Sequence, residues 1–203
     1  MSGRAKKIAY RIVELLLVLF AAAGVFFMFY TAFKADVLRD PLSISICVVG
    51  FLVLYPVATV LLHETGHLVF GSVVGLRFYS FSIRFLQIGR GGKVCLKHNP
   101  DFAGKTVMLP KKERGVRGKL IVFALGGAIF NLIYGCVFLL LYFFVPQTPV
   151  MLLFESLAPL SLFEGLLALY PAELSAGKTD GKIVLEQIKN TPDARVMRAV
   201  LTA

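Results

Sequence analysis

Leu61-Leu62-His63-Glu64-Thr65-Gly66-His67-Leu68-Val69-Phe70 decides the reading of this chain, because it sets three ionisable side chains inside a long apolar run. The run begins after Pro41, passes Pro56 as an expected kink, and stays apolar through Leu76 apart from that cluster. With Arg77 as the interfacial anchor and about 1.5 Å of rise per residue, His67 falls roughly 15 Å and His63 roughly 20 Å inside the membrane boundary. A spacing of four turns a helix through about 400°, so both imidazoles leave one face, one turn apart, and can hold a single zinc ion between them. Glu64 stands beside them, placed to take the proton of a water that such an ion activates, the general-base role in a His-Glu-x-x-His pattern. Isolated core histidines or a proton relay are the plainer readings. They explain less well why three polar groups, each costing about 2 to 3 kcal/mol to insert, share one apolar helix.

The rest of the chain fits a bilayer as solvent. Of 203 residues, 57% are apolar, and a mean hydropathy of +0.77 exceeds that of ordinary soluble domains. Four spans are expected, at roughly 9–33, 42–75, 120–145 and 150–170, each meeting the 20 or so residues needed to cross the hydrocarbon core. The first resembles a secretory signal up to Ala21-Ala22-Ala23. Its apolar run continues about ten residues further and it carries Glu14, which favours a retained span.

The net charge of +10 is unevenly placed: half of the 22 Lys and Arg lie between Arg77 and Lys119. Short basic loops stay on the cytosolic side, and the N-terminus (Arg4, Lys6, Lys7, Arg11) has the same bias, so both termini are expected to be cytosolic. Anionic lipid headgroups account for this charge, and nucleic acid is not expected as a partner. Cys47, Cys95 and Cys136 have no metal-type spacing and imply no disulfide.

The fold class expected is therefore an all-α transmembrane bundle of about four spans in a single domain, 1–203, with one small β element. Tyr79, Phe81, Ile83 and Phe85 alternate with Ser80, Ser82 and Arg84, and Gly89-Arg90-Gly91-Gly92 turns the chain toward Val94 and Leu96. This predicts a cytosolic-side β-hairpin over roughly 77–97. Residues 98–119 read as basic loop, and 180–203 as a C-terminal amphipathic segment.

A catalytic zinc site commonly takes three protein ligands and keeps an open position for water. Asp180, Glu164, Glu155 and Glu173 are the candidates for the third, and Asp180 also suits the N-cap of a following helix. Local sequence does not separate Asp180 from Glu164.

The motifs in their order resemble the site-2 protease family of intramembrane zinc metalloproteases. The resemblance rests on His-Glu-Thr-Gly-His at 63–67, the strand around Phe81-Ser82-Ile83, Leu-Gly-Gly-Ala-Ile-Phe-Asn at 125–131 and Thr-Asp-Gly at 179–181, and covers about residues 50 to 190. It departs from the family at Ala128, where Pro is usual, and at Ala168 ahead of Pro171. The resemblance implies Zn2+ held by His63, His67 and Asp180, Glu64 as catalytic base, and Asn131 as a substrate-binding group. It also implies a substrate protein with a transmembrane or signal-peptide-like segment, and a bacterial cytoplasmic membrane as the location. The alternatives are an inactive relative that binds membrane segments and a proton- or ion-handling membrane protein.

Overall fold

The computed structural model describes residues 3–83, 86–96, 104–111, 114–174 and 177–202; the side chains of 3–7, 9, 10, 17, 46, 50–56 and 174 lie outside that description. The chain forms two compact units, Met1–Thr59 with Asn131–Leu167, and Val60–Phe130 with Ala168–Ala203.

Helix α1 (Gly3–Lys34) is followed by α2 (Pro41–Val73). Asp40 starts α2 by accepting from Ser43 N at 2.9 Å and from the Ser43 hydroxyl at 2.8 Å, with Pro41 at a first-turn position that needs no N–H. The Ser43 amide holds the Asp40 carboxyl below its ordinary pKa. In the first unit Met28, Ala32, Leu38, Cys47, Leu152, Leu153 and Ala158 make a buried core.

Sheet strands β1 (Leu76–Ile83), β2 (Leu86–Gly89), β3 (Val94–Leu96) and β4 (Lys105–Pro110) belong to the second unit. They pair antiparallel in the order β3-β2-β1-β4. The hairpin expected over 77–97 is thus part of a four-stranded sheet, and the expected loop 98–119 contains β4. Pairing with β1 along its length, from Leu76↔Pro110 to Ser82↔Lys105, offsets the charge and proline that make 105–110 look like loop. The alternation in β1 also changes phase. A register shift between Phe78 and Ser80 leaves Leu76 buried on one side of it and Phe81 and Ile83 buried on the other, with Tyr79 48% exposed, as an extra residue in one strand requires.

Helix α3 (Val116–Phe144) precedes α4 (Pro149–Glu155) and α5 (Leu157–Leu169). The expected fourth span is therefore two helices. Pro159 has no N–H for the Glu155 carbonyl four residues back, and its ring crowds that carbonyl, which places the interruption at Ser156. Among the described residues, three stretches are long and apolar enough to cross a membrane: Arg11–Lys34, Val116–Phe144 and Pro149–Leu169. The short pair β5 (Glu173–Leu174) and β6 (Gly177–Lys178) leads into α6 (Asp180–Lys189) and α7 (Pro192–Thr202), so the C-terminal amphipathic segment is a helix pair. Asn190, in the left-handed conformation, closes α6.

Candidate metal centre

His63 and His67 project from the same face of α2 as their spacing requires, with ring centroids 4.8 Å apart and Nε2 atoms 3.2 Å apart. Asp180 faces both: its Oδ2 lies 3.0 Å from His63 Nε2 and its Oδ1 3.5 Å from His67 Nε2. The ligand atoms of these three residues all lie within 4.8 Å of one another, so the group could hold a metal ion.

Each ligand is aimed by a feature of local sequence. Helices α2 and α3 touch through glycines, since a Cβ on Gly126 would stand 2.6 Å from the Gly66 carbonyl oxygen. That approach brings the Phe123 carbonyl within 2.7 Å of His67 Nδ1. Donation from Nδ1 to this carbonyl leaves the Nε2 lone pair for a metal, the usual outer support of a histidine ligand. Gly127, one position on, faces the imidazoles directly: a Cβ there would lie 2.6 Å from Nε2 of both His63 and His67.

Asp180 is not the N-cap that its place in the sequence suits. Thr179 is, its hydroxyl accepting from Lys182 N at 3.3 Å while donating to the Tyr170 carbonyl at 2.7 Å. The Asp180 carboxylate is left free for the histidines. Gly181 permits this, because any side chain there would run into the Leu169 backbone. In Thr-Asp-Gly the first residue caps, the second faces the metal site and the third allows the close approach. In the metal-free site burial pushes the Asp180 carboxyl up, and hydrogen bonding to His63 and His67 with each imidazole in its protonated form outweighs it, bringing the carboxyl pKa to about 2.

Glu64 is 6% exposed. Its Oε2 is buried without a hydrogen-bond partner among the described residues, and the Thr106 hydroxyl donates to its backbone carbonyl at 3.2 Å, tying β4 to the α2 turn that carries it. A buried carboxylate oxygen without a donor next to a His-His-Asp set suits a base that faces a water. The donor set itself, two imidazole nitrogens and a carboxylate beside a side-chain-free wall at Gly127, could hold a divalent metal ion.

Three of the other sequence candidates belong to the first unit. Glu164 belongs to the first unit and accepts from the Thr59 hydroxyl at 2.9 Å. Asn131, fully buried in that unit, places its Nδ2 3.5 Å from Glu164 Oε2. Glu155 is fully buried in the same unit, and Glu173 is exposed on β5. The roles of the Phe123 carbonyl, Gly127 and Thr106 were missed in sequence. A main-chain carbonyl carries no sequence signal, although Gly126-Gly127 marks a close helix approach.

Compared with known proteins, the chain matches no family model, no curated protein and no solved structure.

Proposed function

We propose that this chain is an intramembrane zinc metalloprotease of the site-2 protease type, hydrolysing a peptide bond in or near a transmembrane segment of a substrate protein. The observation that carries the reading is the meeting of the Asp180 carboxylate with Nε2 of His63 and His67, beside the buried Glu64. In this reading α2 is a fourth membrane crossing, its only ionisable side chains from Val57 to Val73 being the three of the motif. The concentration of Lys and Arg between Arg77 and Lys119 supports a cytosolic position for the sheet and for both termini.

Zinc, when bound, supplies an acidified water and a positive centre for the charge that develops on the scissile carbonyl oxygen. His63, His67 and Asp180 hold it, and the Phe123 carbonyl fixes the His67 tautomer. Glu64 takes the proton of the water as the new carbon–oxygen bond forms, then delivers it to the amide nitrogen as the carbon–nitrogen bond breaks. Asn131 is a candidate to bind the substrate carbonyl. A helical substrate shields its own peptide bonds, so it must unwind before the water can reach one.

The test is a comparison of the protein with Glu64→Gln in membranes. The variant is expected to keep its zinc and to accumulate uncleaved membrane proteins that are cut once Glu64 is restored. A Glu64→Gln protein that cleaves them at the unmodified rate removes the mechanism.

A further inference from the structure

The α6–α7 pair has an apolar face that the fold leaves open. On α7, Ala194 is 1% exposed and packs inward, whereas Val196 and Val200, one turn apart, are 63% and 71% exposed; Ile188 at the end of α6 is 55% exposed. Ala199 lies between the two valines on the same face; Lys189 and Arg195 are exposed beside it, and Asp193 at its other edge is paired with Lys178 Nζ at 2.7 Å. What covers this face follows from where α6 ends. Arg117 sits in the first turn of α3, a stretch long and apolar enough to cross a membrane from Val116 to Phe144. Basic side chains at such an end lie at the headgroup level. The Arg117 guanidinium donates to the last carbonyls of α6, Gln187 O at 2.7 Å and Ile188 O at 2.5 Å. The α6–α7 junction is thereby held within one side chain's length of the start of α3.

We propose that α7 and the C-terminal end of α6 lie at the interface, with Ile188, Val196 and Val200 dipping into the headgroup boundary of an anionic leaflet and Lys189 and Arg195 meeting its phosphates. An exposed apolar stripe flanked by basic residues is the arrangement that lies in the plane of a membrane surface. Since α6 opens with Asp180, the lipid surface also steadies the third ligand of the metal centre; that consequence alone rests on the proposed function.

The chain contains no tryptophan, which gives a clean test. Val196→Trp and Val200→Trp are made singly in the full chain and reconstituted into vesicles of phosphatidylglycerol, with and without bromine on the acyl chains near the headgroup. The expected result is blue-shifted emission that loses most of its intensity in the brominated vesicles, at one or both positions. Emission at neither position changed by bromine overturns the proposal, whether it is water-like, as for a face open to solvent, or blue-shifted, as for a face covered by protein. The fluorescence does not depend on metal, so failure of the zinc reading and failure of this one are seen separately.

Discussion

The Phe123 carbonyl accepts a hydrogen bond from His67 Nδ1 at 2.7 Å, and a main-chain atom of α3 thus sets the orientation of a candidate metal ligand on α2. The bond depends on the glycine crossing at Gly66 and Gly126. Gly126→Ala is expected to part the helices and weaken zinc affinity about 10- to 100-fold, the usual effect of losing an outer-shell partner, with helical content unchanged. Zinc titration of the purified variant, followed by circular dichroism, checks both.

Gly127→Ala tests the metal-facing wall. The added methyl would stand against Nε2 of both histidines, so zinc uptake should fall below detection while thermal stability stays close to that of the parent. Full zinc occupancy in this variant would place the ion elsewhere.

Asp180→Ala should remove most of the bound zinc, and Glu164→Ala should leave it in place, since Glu164 is engaged by Thr59 in the first unit. Thr179→Ala is expected to act at one remove. Loss of its cap costs about 1 kcal/mol of helix stability and frees the start of α6, so zinc should dissociate faster without a change in ligand set. Metal analysis and dissociation rates separate the three variants.

Acid should release the metal through the imidazoles and not through the carboxylate. Asp180 has a folded pKa of about 2, below the roughly 3.9 of an unfolded Asp. In the metal-free protein its contribution is therefore complete above about pH 4 and is lost only as the pH falls through about 2. Imidazoles must be neutral to bind metal and ordinarily titrate near 6.5. Zinc should leave with close to two protons taken up per ion, at a pH above the range in which Asp180 is protonated; release confined to below about pH 3 would assign it to the carboxylate. Zinc retained on a spin column across a pH series gives the curve.

The parts of this protein that were legible in sequence are those fixed by local periodicity. The histidine spacing on α2, the apolar lengths of α1 and α3, and the turn at Gly89 to Gly92 each follow from residues within one element. Long-range pairing was not legible. Strand β4 exists because β1 offers it an edge, and nothing in Lys105-Thr106-Val107-Met108-Leu109-Pro110 alone indicates that partner. The bulge between Phe78 and Ser80 altered which face Tyr79 takes, and Pro159 broke a helix that composition alone continues. The meeting of Asp180 with the histidines is likewise long-range, and it depends on Thr179 capping α6 in place of its neighbour, which local sequence does not indicate.

X-ray absorption at the zinc edge of the purified, zinc-loaded protein tests the centre most directly. The account predicts one ion per chain with nitrogen and oxygen neighbours at about 2.0–2.2 Å, two of them imidazoles, and a spectrum that changes in Asp180→Ala. Sulfur neighbours at about 2.3 Å, drawn from the three cysteines, or no ion taken up at all, would contradict it.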